Sequence, residues 1–326
     1  MTPRPSGSAP SNLRLHSPGG VLLTFLFHGV FANEQEIEQQ AVDPQQRITV
    51  DHFREFVEHM LEAGYEFVLP DQVTAGLDAD GRYVMATFDD GYASNQLVLP
   101  VLEEFRVAAL FYISTGHVLA NKSYWWDVAH REIVLGGGSV DAVQQVGRTL
   151  KTLTHDQIEN EIVRRFGASS LEPWGDIDRP LTPKELRAFV ESPYVEVGNH
   201  TRDHAILTNY TPAGVRQQLA GAQDDLEHLV GYRPTSVSYP NGNYSPAVLT
   251  VASELNLSLG ITVERKKNLL PLDTSDAGLL RLGRHTLWGT KDIADQCHVL
   301  CSEAWWKGAW ARLVKGDTRL WQRRSA

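Results

Sequence analysis

Two adjacent carboxylates, Asp89 and Asp90, close an apolar run, Arg82 to Phe88, that reads as a strand, and Gly91 follows them. Strand, acidic pair and glycine turn together set negative charge at the carboxyl end of an α/β sheet. Neighbouring carboxylates repel unless a cation sits beside them, and a metal or an arginine usually fills that place. On its own an Asp-Asp-Gly triplet is an ordinary polar turn, so its meaning depends on what else the chain supplies. A second short apolar strand, Val195 to Asn199, runs into His200, and His204 follows four positions on. If helix follows that strand, the two imidazoles share one face a turn apart, a separation at which they bind one divalent cation. In a chain with 12 histidines this spacing alone is only moderately specific. Beside an acidic pair that also ends a strand, it becomes a two-histidine, one-carboxylate set that holds zinc or a similar ion and activates a water.

The elements that must carry these residues alternate. Val21 to Val30 is almost continuously apolar, as a parallel strand buried on both faces is. Its closing residue, His28, is either a satisfied core histidine or a residue lining the site at the strand's end. Thr49 to Gly64 reads as a helix with Thr49 or Asp51 as cap and Gly64 as stop, and Tyr65 to Leu69 as a strand. Ser94 to Arg106 is a helix despite Pro100, and Ala108 to Ser114 a strand. Thr182-Pro183-Lys184-Glu185 opens a helix with a capping box, and Thr211-Pro212 opens another that runs to Val230. Ser236 to Tyr239, Gly260 to Val263 and Leu279 to Leu287 supply the later strands. Such alternation is the signature of a parallel sheet, here curled into a barrel.

The segment 117–180 breaks the rhythm and reads as an insertion, in part a lid. Its Trp125 and Trp126 either stack on sugar rings in a saccharide groove or anchor the insertion to the barrel. The first 20 residues, rich in Pro, Ser and Gly, read as a disordered tail. From 291 on the chain is helix-like, with Trp305, Trp306, Trp310 and Trp321, and is expected to pack on the barrel or on another subunit, which leaves a homo-oligomer open.

Bulk properties bound the function. The 326 residues are ample for one large α/β barrel and its core. A net charge of −10 argues against a general nucleic-acid or anionic-membrane binder, which needs a basic face. The 2 cysteines, Cys297 and Cys301, are too few for a disulfide framework, and four apart on a helix they suit paired thiols better than a bridge. With neither a secretory signal's apolar core nor a run of membrane-spanning length, the expected location is the cytoplasm.

Thr87-Phe88-Asp89-Asp90-Gly91-Tyr92 followed by His200-Thr201-Arg202-Asp203-His204 resembles the polysaccharide deacetylases, the NodB-homology group of carbohydrate esterase family 4. Leu26-Phe27-His28-Gly29-Val30 resembles the family's opening strand, and Ser238-Tyr239-Pro240-Asn241-Gly242 its third motif. The likeness runs from about Val21 to Leu287. It implies an α/β fold, a distorted (β/α) barrel of about seven strands spanning 21–290, with the site at the strand ends. It implies a divalent metal, zinc first, on Asp90, His200 and His204, and Asp89 as general base. A backbone N–H of Asn241 would stabilise the oxyanion, and Tyr239 would line the substrate side with Trp125, Trp126 and His28.

Two departures from the family stand out. The family's late Leu-x-His motif is missing from Arg281-Leu282-Gly283-Arg284-His285-Thr286-Leu287, so His285 is the expected general acid only as a candidate, with His28 behind it. The family places an Arg that orients the catalytic Asp where Ser238 stands here. Arg281 is expected to take over that task, because the late strand resembles an Arg-bearing variant. The leading expectation is a metal-dependent hydrolase removing acetyl groups from an N-acetylated or O-acetylated saccharide of the cell envelope or an exopolysaccharide. A hydrolase of a small non-sugar amide and a catalytically silent saccharide-binding protein are the alternatives.

Overall fold

Apolar strands buried on both faces build the scaffold, seen in a computed structural model that describes residues 20–302. The tail 1–19 and the tryptophans from Trp305 on lie outside the described residues. The strands are β1 (Val21–Phe27), β2 (Glu66–Phe67), β3 (Arg82–Phe88), β4 (Ala109–Ile113), β5 (Val195–Asn199), β6 (Ser236–Ser238), β7 (Leu259–Ile261), β8 (Asn268–Leu269) and β9 (His285–Thr286). A path of seven runs β7-β6-β5-β4-β3-β1-β8, with β2 on β3 and β9 on β1. All pairings are parallel except β8 on β1. A bridge from Ile261 to Leu282 joins β7 to the segment that continues into β9 and so to β1, which closes the curl. This is the expected distorted barrel.

Strand alternation sorts the core into two layers. Leu22, Met85, Leu110, Tyr112, Leu259, Ile261 and Leu282 fill the inside. Leu23, Phe25, Phe27, Val84, Phe88 and Phe111 face the surrounding helices. On that outer layer Phe27, Phe88 and Phe111 stack in sequence, centroids 5.1 and 4.7 Å apart. Phe53 and Phe56 of the helix Val50–Glu62 pack edge-on against Phe27. This apolar layer fixes the register of β1, β3 and β4, whose ends carry the site.

Local signals mostly decide the helices. Thr49 caps Val50–Glu62, Thr182 caps Pro183–Phe189 in a capping box, and Thr211 caps Pro212–Val230. The strand expected over Tyr65 to Leu69 shrinks to two residues because Leu69 and Pro70 begin the helix Pro70–Ala75. The strand expected over Leu279 to Leu287 is broken as well. Here the Asn268 side chain, not a neighbouring strand, satisfies both the N–H and the C=O of Gly283.

Between β4 and β5 the chain folds into helices that include Trp125–Val134, Val140–Leu150 and His155–Phe166, around Val128, Leu150, Ile158 and Ile162. A fully buried Arg131–Asp178 ion pair ties this unit together. Cys297 and Cys301 are free thiols on the helix Ile293–Cys301. Among the described residues no helix is long and apolar enough to cross a membrane.

Candidate active site and metal centre

Sheet register delivers the acidic pair to the rim. Phe27 and Phe88 pair at the ends of β1 and β3, and the Asp89 N–H donates to the Phe27 carbonyl at 2.9 Å. Asp89 therefore keeps strand alternation and faces the interior, as Met85 does. Alternation would send Asp90 to the opposite face. Instead Asp90 adopts φ 78, which turns its carboxylate to the same mouth. That conformation costs a non-glycine residue about 1–3 kcal/mol. It is held by two bonds to the Asp90 carbonyl, from the Ser114 N–H at 3.1 Å and the Tyr124 hydroxyl at 2.6 Å. Gly91 follows at φ 87, where a Cβ would come within 2.9 Å of Ile113.

β5 delivers the histidines, though not through a helix. Thr201 and His204 are both left-handed, at φ 61 and 49, and the chain between them is a loop. Side chains brace it: Asn199 Oδ1 accepts from the Thr201 N–H and Thr201 Oγ1 from the Ala205 N–H, both at 2.8 Å. The loop still brings the rings together, centroids 4.9 Å apart. Gly198 makes room beneath His200, since a Cβ there would lie 2.5 Å from the Tyr112 ring.

Three ligand-type atoms, one each from Asp90, His200 and His204, lie within 4.8 Å of one another. His200 Nε2 is 3.3 Å and His204 Nε2 3.4 Å from Asp90 Oδ1. His200 Nδ1 is 2.8 Å from the Ser238 carbonyl. A carbonyl only accepts, so Nδ1 carries a proton, and in the neutral ring the Nε2 lone pair faces Asp90. Both Asp90 oxygens are buried without a hydrogen-bond partner. A buried carboxylate facing an imidazole lone pair is the arrangement a cation resolves. This oxygen and nitrogen donor set fits a zinc-type ion with open positions. Burial, with His200 beside it, holds His204 well below the ordinary histidine range. Burial also acts on His200, but Asp89 and Asp90 outweigh it and raise that group.

Asp89 has a different partner. Burial pushes its carboxyl up, but the Arg284 guanidinium and His200 together outweigh burial and hold it well below the usual carboxylate range. Arg284 is itself 1% exposed. Its Nε donates to the Thr262 carbonyl, and Nη1 reaches Thr87 Oγ1 as well as Asp89. The Ser238 hydroxyl adds a bond to Asp89 Oδ2 at 3.0 Å. Arg281, expected on Asp89, is not there: its Nε donates to the Ala277 carbonyl near the surface. Parity explains the exchange. Leu282 faces the barrel interior, and Arg284, two positions on, shares that face while Arg281 does not.

His285 also departs from expectation. Succeeding Arg284, it points to the helix-facing layer, where its ring lies 6.1 Å from that of Phe25. Burial there, with Lys267 and Arg265 nearby, lowers it to about 4. It is a neutral imidazole rather than an imidazolium at neutral pH and lies on the opposite face from Asp89. Tyr239 is likewise turned away: fully buried in the core against Val248 and Val251, it donates its hydroxyl to the Leu280 carbonyl. Asn241, at φ 57 in the turn after β6, is exposed, with its amide on Asn243 Oδ1 at 2.6 Å.

The two tryptophans sit in different surroundings. Trp125 packs on the insertion's own core. Trp126 stands edge-on to His204 at 4.6 Å, stacks on Tyr124 and donates its indole N–H to the Tyr92 hydroxyl at 2.7 Å. His28 follows Phe27 at the end of β1, on the strand that pairs with the one carrying Asp89. Its Nδ1 is 2.7 Å from Gln46 Oε1. Arg284, Ser238 and Gln46 were not assigned from sequence, nor was the bond from Tyr124 to the Asp90 carbonyl. Only the strand parity of Arg284 offered a signal.

A family model described as Polysaccharide deacetylase matches residues 76–260, a span holding both carboxylates and both histidines. Among curated proteins, YxkH of Bacillus subtilis (strain 168), named as a candidate polysaccharide deacetylase, is 20% identical over 219 residues, which cover 65% of this chain and 58% of YxkH. The chain thus spans 58% of the length of that relative. Two solved structures share the fold. The deacetylase PplD of Streptococcus pyogenes, in complex with acetate, is 17% identical, covering 85% of this chain and 97% of PplD at a TM-score of 0.57. BC0361, a polysaccharide deacetylase from Bacillus cereus, is 16% identical, covering 86% of this chain and 69% of BC0361 at 0.59.

Proposed function

The chain belongs to the polysaccharide deacetylase family, and we propose that it is a metal-dependent hydrolase removing acetyl groups from an N-acetylated, or O-acetylated, saccharide. The observation that carries this reading is the pairing of two unlike carboxylates. Asp90, without a hydrogen-bond donor, faces two imidazoles, while Asp89 beside it is gripped by an arginine. One is suited to an ion and the other to a proton.

Asp90, His200 and His204 would hold a zinc-type ion, whose charge acidifies a bound water and polarises the acetyl carbonyl. Asp89 is the base: Arg284 and Ser238 fix its orientation and keep it ionised at any working pH. The backbone N–H of Asn241, in the turn after β6, is the proposed donor to the oxyanion. His28 takes the part of general acid, giving a proton to the leaving nitrogen or oxygen. Its place at the end of β1, next to Asp89, favours it over His285, which faces the helices. Part-exposed Trp126 walls the site beside His204 and offers an aromatic ring to a sugar, while fully buried Tyr124 backs it. Cell-envelope or exopolysaccharide metabolism is the proposed setting.

Acetate release from a panel of N- and O-acetylated oligosaccharides, by zinc-loaded and metal-stripped protein, tests the reading. Release that needs the ion supports it. Release from non-sugar amides alone would replace the substrate class, and binding of sugar without release would replace the enzyme.

A further inference from the structure

Gln46 lies in a short link before the helix Val50–Glu62, and no motif singles it out. It is 5% exposed, and the residues on either side, Gln45 and Arg47, are both left-handed, at φ 42 and 55. The chain turns sharply twice to point this one side chain inward. Its Nε2 donates to two carbonyls, Leu26 at 2.6 Å and Leu287 at 3.2 Å. These sit where β1 and β9 part, since Leu26 is paired with Thr286. Both partners can only accept, so the amide NH2 must face them and Oε1 must face His28 Nδ1, 2.7 Å away. An amide oxygen can only accept in turn. The proton between them therefore belongs to His28 Nδ1.

We propose that Gln46 is a positioning residue that holds His28 as the Nδ1–H tautomer, so that every proton His28 gains or loses passes through Nε2. A free imidazole has no such restriction and exposes either nitrogen. The tautomer follows from the hydrogen bonds alone. Its consequence for acetyl removal rests on the proposed role of His28 as general acid.

Long-range 1H–15N correlation spectra of the full chain, with the His28 signals assigned by their loss in His28→Gln, read the tautomer directly. Recorded on the neutral form of His28, the wild type is expected to show a protonated Nδ1 and an unprotonated Nε2. A protonated Nε2 with a bare Nδ1 overturns the proposal without any variant. Gln46→Glu and Gln46→Met both lose the donors to Leu26 and Leu287, but only glutamate keeps an acceptor for Nδ1. The Nδ1–H tautomer is expected to persist in Gln46→Glu and to give way to a mixture in Gln46→Met. With it, kcat should fall about tenfold further in Gln46→Met than in Gln46→Glu. Equal tautomers and equal rates in the two variants would mean that Gln46 only ties strands together, which overturns the proposal. Wild type that has the Nδ1–H tautomer and releases no acetate would instead overturn the deacetylase reading and leave the tautomer assignment standing.

Discussion

Arg284 grips Asp89 through two parallel hydrogen bonds, Nη1 to Oδ1 at 2.8 Å and Nη2 to Oδ2 at 2.7 Å, across 195 positions of chain. Both side chains are buried. A planar fork on a carboxylate fixes orientation as well as charge. It also separates the two neighbouring aspartates, leaving Asp90 free for an ion.

Removing the fork should therefore cost both stability and activity. Arg284→Met leaves Asp89 buried and unpaired, a change worth about 3–5 kcal/mol. Adding Asp89→Asn to Arg284→Met should recover much of that loss, because no charge is then stranded. Chemical denaturation of the two single variants and the double variant measures the coupling. Arg281→Met, by contrast, should leave both carboxylates as they are and change kcat less than threefold, roughly the effect of a surface site.

Asp90 carries a prediction that reverses with metal. Without an ion its two oxygens are buried and unpartnered, so Asp90→Asn should make the stripped protein more stable by about 1–3 kcal/mol. With zinc present the order should invert, because an ion that binds only the folded state stabilises it. Thermal melts of both proteins with and without zinc decide this. Equal melts in all four conditions would mean that no ion binds there.

Much of this arrangement is legible from residue types and some of it is not. The metal-type set and the base stand at strand ends, where apolar runs announce them; strand–helix alternation predicts the parallel sheet, and the family resemblance implies its distorted barrel. What the sequence hides is conformation that breaks a period. Asp90 turns out of its strand at φ 78, and His204 returns through a left-handed loop although its spacing imitates a helix. Arg281 and Arg284 lie three positions apart where the only regular strand is His285–Thr286, so strand parity offered only a weak signal to separate them. Gln46 depends on contacts with the far end of the chain, and no local pattern encodes those.

Tyr124 holds Asp90 in its turned conformation through the bond to the Asp90 carbonyl. Tyr124→Phe keeps the ring stacked on Trp126 and removes only that bond, so stability should fall by about 1–2 kcal/mol. Metal affinity should weaken with it, read by competition with a chromophoric chelator. An unchanged affinity would mean that Ser114 suffices to hold the turn.

Acid should unfold the protein partly through two buried histidines outside the metal set. Burial lowers His117 and His285 each to about 4, against about 6.5 in the unfolded chain. Each is neutral in the folded state and takes up a proton more readily when unfolded. Their contribution is thus present above pH 6.5 and is lost as pH falls from about 6.5 to about 4, by up to about 3 kcal/mol each. His285→Gln should flatten this slope, measured by urea denaturation across the range, and leave acetate release at neutral pH within about twofold.

The division of labour between the two carboxylates is the central claim, and Asp89→Asn tests it most directly. Metal content and acetate release would be measured on the same preparation, beside wild type. The variant is expected to hold about one zinc-type ion, as wild type does, and to lose acetate release by a factor on the order of 10² to 10⁴. A variant that loses the ion, or one that keeps both ion and activity, would contradict the assignment of Asp90 to the metal and Asp89 to the proton.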